Sequence, residues 1–241
     1  MAAYGLFLIG FLVLLSAVVL LARQSATQLH VEDDVIELES VGRLSTRLLY
    51  ANVVVTQGLV LLLLLGLLWW TEIPHTAIGV TIESGSWGFQ VVSGVLAGLI
   101  LYVANQGSVA VLDRYEIEYS HALRRGLAPD SVGGWVLLFG VVLPVIAMSE
   151  ELLFRAAAIG VISAGFPISP WVLVALSAVV FAIGHGAQGT GGIIVTGALG
   201  LVLGGLFVYT GSLILVIVAH YVVNGLEIGV HEGVLPYFPQ T

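Results

Sequence analysis

"SVGGWVLLFGVVLPVIAMSEELLFRAAAIGVISA", residues 131–164, is apolar enough to lie in a bilayer, yet it carries Glu150, Glu151 and Arg155 in its interior. The run exceeds the roughly 20 residues that one straight span needs. It reads as two segments or as one long helix bent at Pro144, because a proline inside a helix removes a backbone hydrogen bond and kinks it. In either case three ionisable groups sit where a charge costs roughly 2.5–3.5 kcal/mol to insert. Such groups are expected to be paired with one another or to serve a function.

The rest of the chain is of the same kind. Of its 241 residues 59% are hydrophobic and 9% charged, where a soluble domain has about a quarter charged. Apolar runs near span length fall at about 3–22, 48–70, 88–112, 169–186, 190–209 and 212–231. The expected fold class is therefore all-α, a polytopic transmembrane helical bundle of about seven to eight helices. The first run lacks a charged leader and is long enough to span, so it reads as a membrane helix and not as a signal peptide. As a division of one integral-membrane unit, residues 1–112 supply N-terminal helices with a polar loop at 23–47, and residues 113–241 supply a core. The loop "HVEDDVIELE" is expected to be a partly helical surface segment.

Seven basic residues, all Arg, face fifteen acidic ones, which leaves no basic patch for nucleic acid. Without cysteine there is neither a disulfide framework nor thiolate chemistry. Arg23, Arg43 and Arg47 lie in the first polar loop and Arg114, Arg124 and Arg125 in the second, residues 113–130. The positive-inside rule puts both loops in the cytoplasm, and seven crossings then put the C-terminus there too. The expected location is the cell membrane, with the lipid bilayer as the surrounding partner.

Helix geometry sorts the buried charges. Glu151 and Arg155 stand four apart on one face, in the favourable order for an ion pair. Glu150 is turned about 100° away and is left for another face. Two further helices add polar groups. "FAIGH" puts Phe181 and His185 four apart, and "HYVVN" does the same for His220 and Asn224. Taken alone, His185 is as well explained as an interfacial histidine, and His220 with Asn224 as hydrogen-bonding glue between helices. Depth joins them. At about 1.5 Å per residue, Glu150, His185 and Asn224 lie about 20–22 Å, and His220 about 14 Å, from the ends nearest 164, 170 and 211. Side chains at a similar level on three helices are what a shared cavity requires. His220, Asn224, Glu227 and His231 form one polar stripe, read as a lining of the path into that cavity. Asn105 and Gln106 are expected near the end of a span, and His30, His75 and His121 in solvated loops.

The three motifs in this order, Glu-Glu-x-x-x-Arg, Phe-x-x-x-His and His-x-x-x-Asn, resemble those of the CAAX prenyl endopeptidase and bacteriocin-processing (CPBP, Abi) family of intramembrane proteases, over roughly residues 130–230. The resemblance implies an endopeptidase acting on a peptide or a membrane-anchored protein. It implies that Glu150 and His185 activate a water, that His220 and Asn224 stabilise the oxyanion, and that Glu151, Arg155 and Phe181 support the site. No cofactor is expected. The rival mechanism is a zinc site in which Glu150, His185 and His220 form a His₂Glu ligand set with an open fourth position. A non-catalytic transporter or scaffold is the reading from another class.

Overall fold

The computed structural model describes residues 2–32, 35–38, 42–43, 45–80 and 86–234, with the backbone alone for 26–32, 35–38, 42–43, 86 and 234. The expected architecture is what is observed: a bundle of apolar helices. Among the described residues there are eight, α1 (Ala2–Gln28), α2 (Thr46–Trp70), α3 (Ser86–Arg114), α4 (Ala122–Leu127), α5 (Val132–Gly165), α6 (Pro170–Gly184), α7 (Gly189–Thr210) and α8 (Leu213–Ile228). Six of them, all but α4 and α6, are long and apolar enough to cross a membrane, α8 being counted with its wide-turn extension as Leu213–Gly233. The chain is a multi-pass membrane protein. Trp69, Trp70 and Trp87 are exposed at the adjoining ends of α2 and α3, as an interfacial belt requires.

Three local expectations are corrected. First, the described part of the segment after Gln28 is not helical: Leu29–Glu32, Val35–Leu38 and Gly42–Arg43 form a small antiparallel sheet in the order β1-β2-β3. Acids alternate there with Val, Ile and Leu, and a period of two suits a strand; the side chains, including those of His30 and Arg43, lie outside the described residues. Second, the polar loop at 113–130 contains the short helix α4, which packs on α2. Third, Asn105 and Gln106 do not end a span, since α3 continues to Arg114. Of the two alternatives for 131–164, the single long helix is the one observed.

That helix positions the site. α5 runs unbroken past Pro144 because wide, π-type turns at Leu138–Val142 and Leu152–Val161 flank its middle. A wide turn relieves the missing proline donor without ending the helix, and such turns recur at functional sites. Glu150 and Glu151 stand on the last residues of ordinary α-helix before the second wide turn, which carries Arg155. Ser177 of α6 donates to the Phe154 carbonyl at 2.7 Å, which holds this turn against its neighbour.

Close packing fixes the remaining helices. Gly94 and Gly98 of α3 lie against the Leu215 and Ala219 carbonyls of α8, where a Cβ would collide. Gly200 and Gly204 let α7 approach Ala178 and Val174 of α6, as expected for small residues between membrane helices. One buried cluster runs from Phe7 and Phe11 through Leu64 and Leu101 to Phe154, Phe181, Leu203 and Val223. N-terminal and C-terminal helices therefore share a core.

Candidate active site

Glu151 is the hub of the site. Its Oε1 accepts from Arg155 Nη1 at 2.9 Å, one turn along α5, and from His220 Nδ1 on α8 at 2.6 Å. Glu151 and Arg155 are fully buried, and His220 nearly so. Arg155 also stacks over the Phe181 ring at 4.7 Å and directs Nη2 toward the Gly200 carbonyl at 3.5 Å. The pairing expected from the spacing is thus present, and the same carboxylate orients an imidazole on another helix.

Glu150 points elsewhere, as its 100° offset requires. Its Oε2 lies 3.6 Å from His220 Nε2, and its Oε1 lies 3.4 Å from Gln57 Nε2 of α2. His220 therefore stands between the two glutamates. With Nδ1 of His220 turned to Glu151, Nε2 is the ring atom presented to Glu150.

His185 caps the C-terminus of α6, where its Nδ1 reaches the Phe181 carbonyl at 2.8 Å. A carbonyl accepts only, so Nδ1 carries the hydrogen of this bond and Nε2 is left outside it. The chain then turns through Gly186–Gln188 and enters α7 at Gly189, whose φ of 78° disfavours a side chain. The Phe181 ring lies edge-on to His185 at 4.6 Å and to His220 at 6.3 Å, so it separates and braces the two imidazoles.

Glu150, Phe181, His185, His220 and Asn224 all line one cavity of about 680 Å³. Glu151 and Arg155 lie behind its wall. The cavity also reaches Asn52 and Gln57 of α2, and Tyr119, His121 and Arg124 around α4. Its lining extends through Leu48 and Leu49 to Arg124, at the end of the bundle that carries Arg47, Arg114, Arg124 and Arg125. The polar stripe of α8 enters it in part. Glu227 lines it, held by Arg124 at 2.7 Å and Gln106 at 2.6 Å, while His231 bonds the Glu227 carbonyl of its own helix. Arg124 also bonds Glu232 at 2.7 Å, which clamps α4 to the end of α8. His121, expected to be solvated, lines the cavity instead. Burial, with Arg124 next in weight, holds its imidazole below the usual range. Burial and Glu227 together push the Tyr119 phenol up.

Two participants escaped the motif reading, Gln57 and Ser149. The Ser149 hydroxyl donates to Gln57 Oε1 at 2.6 Å. A lone Gln inside the leucine-rich run of α2 was the available signal.

For the zinc alternative, no three His, Cys, Asp or Glu side chains among the described residues are placed to hold a metal ion.

These features define a class: a multi-pass membrane protein with an acid–imidazole–amide cluster enclosed among its helices. Residues 132–226, which hold all three motifs, match the family model described as type II CAAX prenyl endopeptidase Rce1-like, which supports the resemblance to the CPBP family. No curated protein and no solved structure matches the chain.

Proposed function

We propose that the chain is an intramembrane endopeptidase that hydrolyses peptide bonds of membrane-associated proteins or peptides with a water activated by Glu150. The observation that carries this reading is the His220 bridge, 2.6 Å to the buried Glu151 and 3.6 Å to the cavity-lining Glu150. Arg155 balances Glu151. One proton shared between Glu150 and His220 then makes the whole cluster neutral, which the cost of burying net charge favours. With that proton on His220, Nε2–H is a donor facing the cavity and Glu150 is a free carboxylate base.

Each role follows from these states. Glu150 takes a proton from a water that the His185 Nε2 lone pair helps to orient. The oxygen of that water adds to the scissile carbonyl, and the carbonyl electron pair moves onto its oxygen. His220 Nε2–H and the Asn224 amide donate to this oxyanion, the charge that preorganised donors in a dry site stabilise best. Glu150 then delivers its proton to the departing amine, and the carboxyl product forms. A positioned general base contributes typically about 10²–10⁴-fold. The apolar cavity walls, among them Leu49, Val53, Ile146, Leu199 and Val223, suit a substrate segment that arrives from the lipid. We place the Arg-bearing mouth, and with it the C-terminus, on the cytoplasmic side of the cell membrane, because Arg47, Arg114, Arg124 and Arg125 cluster at that end.

The function is tested by comparing membrane proteomes of cells that carry the wild-type chain or Glu150→Gln. Unprocessed termini should accumulate with the variant; identical terminal inventories would refute the reading. Asn224→Ala should lower kcat by about 10²–10³-fold, as loss of an oxyanion donor does. A kcat within threefold of wild type would remove Asn224 from that role. The mechanism needs no metal, so a chelator present during reconstitution and assay should leave turnover unchanged. Loss on chelation with recovery on adding zinc would restore the rival mechanism.

A further inference from the structure

We propose that Gln57, held by Ser149, is a positioning residue that aims the Glu150 carboxylate, so that α2, outside the family-matched segment, completes the active site. The inference rests on the glutamate-base reading above and extends it to a helix that carries none of the three motifs.

The two oxygens of Glu150 have different partners. Oε2 faces His220 Nε2 at 3.6 Å, and Oε1 faces Gln57 Nε2 at 3.4 Å. A carboxylate with one contact can swing about its own side-chain bonds; one approached at both oxygens from two helices has less freedom to do so. The orientation of the amide is itself fixed. Ser149 is fully buried, and its hydroxyl lies 2.6 Å from Gln57 Oε1. Since Oε1 accepts from that hydroxyl, Nε2 is turned toward Glu150. Ser149 precedes Glu150 in the chain, so the relay leaves α5, passes through α2 and returns to the next residue of α5. An unpaired amide in a membrane span is costly, and here both ends of the amide are used.

The same two residues fit Glu150 after it has taken the proton from water. The Ser149 hydroxyl also lies 3.1 Å from the Ile146 carbonyl. If it rotates to donate there, its oxygen can accept from a flipped Gln57 amide, and Gln57 Oε1 then accepts the proton held by Glu150. Gln57 neither gains nor loses a proton in the cycle. It presents a donor to the carboxylate and an acceptor to the acid. Other charged or titratable groups around Glu150 are His220 on α8, His185 on α6, and Glu151 and Arg155 on α5 itself. Gln57 is the contact α2 makes to its carboxylate.

The test uses the full chain in proteoliposomes with a membrane-anchored peptide. Gln57→Leu should lower kcat about 10- to 100-fold, the range for one hydrogen bond to a charged group, with KM within about threefold of wild type. Ser149→Ala, which frees the amide, should show a smaller loss in kcat alone. The Glu150 carboxyl band, isolated as the infrared difference between wild type and Glu150→Gln, should shift in Gln57→Leu. An unshifted band, or wild-type kcat in Gln57→Leu while Glu150→Gln is inactive, overturns the inference. If Glu150→Gln itself cleaves normally, the glutamate-base reading is what fails. The infrared band then still decides whether Gln57 holds Glu150.

Discussion

Glu150→Gln is expected to leave a folded protein that does not turn over. The substitution keeps shape and volume and removes only the basic lone pairs. The general-base contribution at stake is about 10²–10⁴-fold in kcat. Folding should survive, because Glu150 lines a cavity and is not in the packed core; its contacts, to Gln57 at 3.4 Å and His220 at 3.6 Å, are long. Replacing a carboxylate beside Glu151 with an amide also removes one of two adjacent negative charges. Cleavage of a reconstituted peptide and thermal unfolding in detergent, measured on one preparation, separate the two quantities. A variant that keeps more than a third of wild-type kcat would exclude Glu150 as the base.

The neighbouring glutamate should behave in the opposite way. Glu151→Leu removes the acceptor of two buried donors, Arg155 Nη1 and His220 Nδ1, at one stroke. Arg155 is only 1% exposed, so its charge is left buried without a counter-charge. Removing one partner of such a pair costs roughly 3–5 kcal/mol. The protein should unfold at markedly lower temperature or fail to accumulate. The double variant Glu151→Leu/Arg155→Met tests the cause. Replacing both members by apolar groups of similar volume removes the stranded charge, so stability should largely return. Activity should not return, because His220 still lacks the acceptor that sets its tautomer. Recovery of both stability and kcat would show that Glu151 serves only the ion pair.

The opposed placement of two adjacent glutamates was legible in the sequence. Four residues separate Glu151 from Arg155, one residue separates it from Glu150, and helix geometry does the rest. The wide turn begins between the two partners, yet leaves them 2.9 Å apart. Shared depth brought Glu150, His185, His220 and Asn224 to one cavity, as expected. The contact between Glu151 and His220 was not legible, because it depends on how α8 rotates against α5, and no spacing within one helix encodes that angle. Gln57 was missed for a related reason. It belongs to no motif, and its importance appears only when α2 is laid against α5. The described part of the segment after Gln28 is strand and not helix, because its acids and apolar residues recur with the period of two that suits a strand. Pro144 suggested a break, but a wide turn absorbs one missing donor without interrupting the helix.

The shortness of α6 has a consequence for the surrounding lipid. Its 15 residues rise only about 22 Å, against a hydrocarbon thickness of about 30 Å. Its outward face, Trp171, Val172, Leu176, Val179 and Ile183, is exposed over that short length alone. The helix capped by His185 is therefore the element of the bundle most mismatched to a bilayer of ordinary thickness, at the position where the chain turns toward the cavity.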